Sequence, residues 1–414
     1  MDANHTPRKA PERVADLEAA RRRYGAKADH VVPLLTAGDP LADAVIAELN
    51  LYGPRARRAL DAGLRRGLPS LGQRPPAAVG ALLRQLETTP SWVDPPMLHR
   101  GDVVSLSVPP MWFGLCSITG ALAHIYASPA TARLLAETGR PAADMAAARR
   151  LAETGVWARQ TIRPGGLLRG RPGYLATVEL RLAHARMRAT GLTDWDGGVR
   201  GLPIGQLDMA RTWLGFTLFA FQALAAVGID ITPEEERSLY QYWSYVAHLL
   251  GLDENLHKDV VDHAGARRLH DLLAATTAAP DENSTALTAA MVDAQARAMA
   301  GAPGAVLSEE QLRHLIDSVL RRAFGEEWGD RLGIPGVPAA TDLMPLISQL
   351  NRQAQYWQTH SPTSATHSPA SASAPEAHHR ALEGPAPELK AAVLPCDTSC
   401  RRHAGAVRPS AWAA

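Results

Sequence analysis

Aromatic residues make up only 5% of this 414-residue chain, and none is interleaved with a basic run. That shortage excludes the stacking platform of a single-strand nucleic-acid binder. No sign of charge dominates: the formal net charge is +1, so no global field gathers nucleic acid or an acidic partner. Arginine far outnumbers lysine, but the arginines are scattered, and runs such as Arg21-Arg22-Arg23 read as solvated surface. Cysteine is scarce. Cys116, Cys396 and Cys400 are an odd set with one member in an apolar segment, which argues against a disulfide framework and for a reducing compartment. The N-terminal stretch has no apolar core of the signal-peptide kind, and a cytoplasmic location is expected. Long apolar runs are also lacking. The stretch 213–229 has 17 residues without a charge, the lower edge of a membrane span, but it holds Thr217, Gln222 and two glycines and reads as a buried core helix.

What is present is helix after helix. Apolar residues recur at helical spacing over 41–49, 81–86, 116–126, 130–138, 141–160, 174–190, 207–227, 233–250 and 308–324. Thr232-Pro233-Glu234-Glu235 combines a capping threonine, a first-turn proline and acids beside the positive end of the helix dipole. Pro164-Gly165-Gly166 and Arg171-Pro172-Gly173 punctuate a loop between two long helices. The best strand candidate, 103–108, is short. No repeat of solenoid period is visible. The expected fold is all-α: a flexible N-terminus over 1–25, one large helical domain over 26–358, and a Ser-, Ala-, Pro- and His-rich tail over 359–414 with too little to bury. Cys396, Cys400 and His403 in that tail have metal-ligand chemistry but unusual spacing.

One histidine stands out among 15. Leu175, Val178, Leu182 and Ala185 give the helix around His184 an apolar face, and Arg181 and Arg188 flank it at three and four residues. Arg150 and Thr154 form a second i, i+4 pair, and Thr154 lies thirty residues before His184. A neutral imidazole for iron, apolar walls for a macrocycle and cations for two propionates are what a haem requires.

The text Glu179-Leu180-Arg181-Leu182-Ala183-His184-Ala185-Arg186-Met187-Arg188, preceded by Arg150 and Thr154, resembles the haem-histidine motif of the rubber oxygenases (latex clearing proteins) and mpaB-type oxygenases. Further blocks resemble the same family in order: Pro90-Ser91-Trp92-Val93-Asp94 with Arg100-Gly101, Thr138-Gly139-Arg140, Pro164-Gly165-Gly166-Leu167, Trp195-Asp196 with Gly201 to Met209, and Trp243 to Asp253. The resemblance covers roughly 30–265. It implies a helical domain enclosing haem b, His184 as proximal iron ligand, Arg181 and Arg188 beside the cofactor, and Arg150 and Thr154 shaping the pocket near bound oxygen.

The sequence departs from the family pattern at three places. Glu153 occupies the position of a lysine that precedes the threonine in rubber oxygenases. Leu134, with Glu137 a turn away, falls where the family has a distal acid, and Gly205 replaces an asparagine. The implied activity is therefore oxygenation of a small hydrophobic molecule, olefinic or isoprenoid-like, with dioxygen, rather than polymer cleavage outside the cell. Glu153 is read either as a buried proton relay or as a solvent-facing partner of Arg149 or Arg150. Neither nucleic acid nor a membrane span is expected, and any electron donor is unidentified. Two other readings stand beside this one. A haem or apolar-ligand carrier or sensor would use the same histidine. A di-iron helical oxygenase needs two Glu-x-x-His motifs, and only Glu254 to His257 lies outside the tail.

Overall fold

The computed structural model describes residues 17–72, 74–138, 143–190 and 195–360. The Gly139-Arg140 part of one motif, Cys396, Cys400 and His403 lie outside the described residues, as do the expectations for 1–16 and 361–414. The chain divides into two units, 1–359 and 360–414.

Among the described residues every regular element is helical, as the sequence pattern requires. The main helices are α1 (Pro40–Tyr52), α2 (Pro54–Arg66), α3 (Ala77–Glu87), α4 (Pro95–Ser107), α5 (Gly120–Tyr126), α6 (Pro129–Thr138), α7 (Ala143–Thr161) and α8 (Pro172–Thr190). They continue as α9 (Gln206–Leu214), α10 (Ala220–Ala226), α11 (Pro233–Leu249), α12 (His263–Ala275), α13 (Glu282–Ala300), α14 (Glu309–Phe324) and α15 (Met344–His360).

Local chemistry sets the starts. Asp39 precedes Pro40 and accepts from the Ala42 amide at 3.2 Å, so an Asp-Pro pair opens α1. Thr232 and Glu235 close a reciprocal capping box at α11. Asp94 opens α4 in the same way, accepting from Met97 N at 2.7 Å. That start corrects the strand expectation at 103–108. Pro95 and Pro96 preset helical backbone, and the helix runs on through Val103 and Val104 to Ser107.

Two apolar stretches are π-helical rather than α-helical: Phe113–Thr119, leading into α5, and Gly215–Phe219, joining α9 to α10. The 213–229 stretch is thus a buried, locally widened core element. No single helix among the described residues is long and apolar enough to cross a membrane; Pro95–Ser107 with Pro110–Tyr126 passes on length and composition only as a pair bent by 98°.

Helices α7 and α8 run antiparallel. Trp157 Nε1 donates to Thr177 Oγ1 at 3.1 Å, and Gly173 lies where any side chain would strike the backbone of Gln160 and Thr161. Continued along both helices, this register sets Arg150 level with His184. The loop joining them is pinned from below. Gly165 N donates to Asp102 Oδ2 at 2.7 Å, and α11 crosses α4 where Gly101 leaves room for the Tyr242 ring. Tyr242 Oη lies 2.5 Å from Thr161 O and 2.9 Å from Asp102 Oδ1. Tyr242 Oη donates toward both acceptors, so its single proton is shared between the Thr161 carbonyl and the Asp102 carboxyl group. Burial raises the Asp102 pKa from 3.8 to about 6, against the hydrogen bonds from Gly165 and Tyr242, which pull it down.

Candidate functional site

His184 lies on α8, half-buried, with Nδ1 shut away from water and no hydrogen-bond partner. Burial first, and Arg188 second, lower its pKa to about 4, with Asp39 pulling the other way. The ring is therefore neutral at physiological pH. A buried, unpaired imidazole nitrogen costs on the order of 1–3 kcal/mol, so the position is not one that packing alone selects.

The flanking arginines hold the helix. Arg181 is buried and donates to Asp39 through Nε at 2.5 Å and Nη2 at 3.0 Å, and to Gln85 Oε1 at 2.8 Å. Gln85 Nε2 lies 3.1 Å from His248 Nε2, so α8, the α1 start, α3 and α11 meet in one polar network. Gly251, with φ of +75°, passes so close to Arg181 and Asp39 that a Cβ would strike both. Arg188 donates from Nε to Asp43 Oδ1 at 2.8 Å and from Nη1 to Ile204 O at 3.0 Å. Its Nη2 is 2.8 Å from the same carboxylate without an aligned hydrogen bond. Ile204 is the one non-glycine with positive φ among the described residues, at 50°. The Arg188 contact fixes this strained residue in place.

Arg150 donates to Tyr126 Oη at 3.2 Å and to Leu135 O at 3.4 Å, and its guanidinium lies 5.8 Å from the Tyr126 ring centroid. Thr154, one turn on, is half-buried. Glu153 is exposed and pairs with Arg149 at 2.7 Å. This is the solvent-facing alternative of the two read from sequence, and it supplies none of the burial a proton relay needs.

The structure therefore brings Arg150 to the level of His184, gives Arg181 and Arg188 carboxylate partners, and leaves Glu153 at the surface. Sequence reading missed Asp39, Asp43 and Gln85 as partners. Asp39-Pro40 signals a helix start, but nothing in the text links it to Arg181, 142 positions away. His124 is a second unusual histidine. It is fully buried, stacked on Phe219 at 3.9 Å, and neither ring nitrogen has a partner. Glu254 to Leu256 form a 3₁₀ turn, not the long helix that carries a di-iron motif.

The family described as "ER-bound oxygenase mpaB/B'/Rubber oxygenase, catalytic domain" matches residues 104–355. The match starts after the Pro90–Asp94 block and runs on through α12, α13 and α14, beyond the stretch whose motifs carried the resemblance. A rubber oxygenase from Streptomyces sp. (strain K30) is 24% identical over 175 residues, which is 41% of this chain and 40% of that relative's length. A solved structure of latex clearing protein LCP in its closed state superposes with a TM-score of 0.59 at 19% identity, covering 78% of this chain and 84% of the other, and so shares the fold. With more than half of its residues inside the family match, the chain belongs to the mpaB/B'/rubber oxygenase catalytic-domain family.

Proposed function

We propose that this protein is a haem b-dependent oxygenase that acts with dioxygen on a small hydrophobic, olefinic or isoprenoid-like molecule, with His184 as the proximal iron ligand. The observation that carries the reading is the neutral, half-buried imidazole of His184, whose shielded Nδ1 has no partner, at the level of Arg150 along the paired helices. Neutral imidazole is the ligating form, so no proton has to be displaced at physiological pH. Haem, when bound, supplies the iron at which dioxygen is activated.

The chain's own residues do the positioning. The Arg181–Asp39–Gln85 network fixes the rotation of α8 and with it the direction of His184. Arg150, steered by Tyr126 and the Leu135 carbonyl, is a fixed cation near the reacting centre, and Thr154 adds a hydroxyl on the same face of α7. With Arg181 and Arg188 held by carboxylates, their support for a cofactor is indirect: they orient the helix, and Arg188 retains one donor without an aligned partner. Glu153 has no part in the chemistry in this reading. A cytoplasmic, reducing location also belongs to the proposal; Cys116 is a buried free thiol.

The absorption spectrum of the purified full-length protein tests this. A Soret band in the wild type that disappears in His184→Ala, with helical circular dichroism retained, is the expected result. Full haem occupancy in the variant overturns His184 as the ligand and turns attention to His124. Haem without oxygen-dependent turnover of any olefin tried is the outcome expected of a carrier or sensor.

A further inference from the structure

A cavity of about 200 Å³ lies at the opposite end of α7 from the His184 level. Ile162, in its wall, is twelve residues along from Arg150, roughly 18 Å at the helical rise. Its apolar walls come from Phe113, Ile162, Phe216, Phe221, Leu239 and Trp243. The Phe216 and Trp243 rings stack with centroids 5.6 Å apart and planes 13° off parallel.

Both π-helical segments contribute to this wall: Phe113 and Ser117 from the first, Phe216 from the second. Such segments are rare and recur at functional sites. Two locally widened helices around one unfilled space point to an occupant.

The fourth side is α15, which presents Asn351, Ala354, Gln355 and Gln358 at i, i+3, i+4 and i+7. Two of its polar heads, Asn351 and Gln355, are already engaged. Asn351 accepts from Trp112 Nε1 at 3.2 Å and donates to Val227 O at 2.7 Å; Gln355 bonds both the N and the O of Asp230, at 3.2 and 2.7 Å. Glu235 accepts from Thr232 N and Oγ1 at 2.9 and 2.8 Å, and Asp230 lies 3.8 Å from Arg352. The lining carboxylates disfavour an anion, and the ring walls offer little to a hydrogen-bonding ligand. Ser105, Ser107 and Ser117 are the uncharged hydroxyls in the wall. For scale, a dry apolar cavity of about 150 Å³ accepts benzene.

We propose that this cavity is a second binding site, separate from His184, for a small uncharged apolar molecule of substituted-benzene size, entered beneath α15. Leu346, Leu350, Tyr356 and Trp357 are exposed on that helix, so hydrogen bonds rather than a broad apolar face hold much of it to the body. Elements held in that way open at low free-energy cost. The site does not depend on the haem reading.

Headspace partition of p-xylene over the full-length protein tests the proposal. The wild type should take up p-xylene saturably and gain thermal stability from it. Ala354→Trp plugs the mouth at an exposed position, and Ser117→Leu fills the wall; each should weaken uptake by about tenfold or more while helical content is kept. If Ser117→Leu does not fold, Ala354→Trp decides. His184→Ala should leave uptake unchanged, which separates this site from the haem reading. Absence of saturable uptake, unchanged uptake in Ala354→Trp, or loss of uptake in His184→Ala alone would each overturn the proposal.

Discussion

The two ends of α7 are held by different chemistry. At the Arg150 end, the facing helix α8 is fixed by buried or part-buried ion pairs, Arg181 with Asp39 and Arg188 with Asp43. At the Thr161 end, the contacts are a Tyr242–Asp102 hydrogen bond, a backbone carbonyl and an aromatic cluster around the cavity. Charged, bidentate contacts fix a direction, which suits the end where the proposed function needs one imidazole aimed. Apolar contacts fix a direction less sharply, which suits the binding space proposed there. The cost of disturbing each end should differ accordingly.

The largest effect is expected at the ion-paired end. Arg181→Met leaves Asp39 buried without its partner and should cost about 3–5 kcal/mol in urea unfolding. Asp39→Asn combined with Arg181→Met should recover much of that loss, because the uncompensated charge is gone. A single variant as stable as wild type would show that the pair does not fix α8.

At the other end the contrast is sharpened by pH. A carboxyl whose pKa is raised on folding, here from 3.8 to about 6, contributes fully below its unfolded value, and the contribution is lost as pH rises through the folded value. The wild type should therefore lose stability relative to Asp102→Asn between about pH 4 and pH 6, by an amount on the order of 3 kcal/mol. Asparagine can still accept from Gly165 N, as the carboxyl group does. Parallel curves of Tm against pH for the two proteins would refute a raised Asp102 pKa.

The smallest effect is expected outside both networks. Glu153→Gln removes an exposed ion pair with Arg149, and such pairs contribute about 0.5 kcal/mol or less. Haem content and oxygen-dependent turnover should match the wild type. Slowed turnover at normal haem content would instead bring this carboxylate to the reacting centre and restore the relay reading.

Much of the architecture was legible because helices announce themselves locally. The capping box at Thr232, the Pro-Gly loop before α8 and the apolar period around His184 are all short-range signals, and each found its element. The valine-rich 103–108 stretch misled for the opposite reason. Its β-branched residues suggest a strand in isolation, but a helix started at Asp94 with two prolines carries through them once Gly101 packs on Tyr242. The helices α2, α12, α13 and α15 were not singled out in the sequence, although Asp281 and Asp262 are ordinary capping residues that could have marked two of them.

By itself the sequence determined the all-helical class and singled out His184, with Arg150 and Thr154 at a spacing that two long helices could bring together. Only the tertiary structure decided which arginines were committed and to whom, because Asp39 and Arg181 are 142 residues apart and meet only when α1, α3, α8 and α11 converge. It also decided that Glu153 faces water, that burial raises the Asp102 pKa, and that two widened helices leave a space between them. Backbone hydrogen bonding and apolar periodicity act over a few residues and can be read along the chain. Burial, desolvation and charge pairing depend on what arrives from elsewhere in the chain.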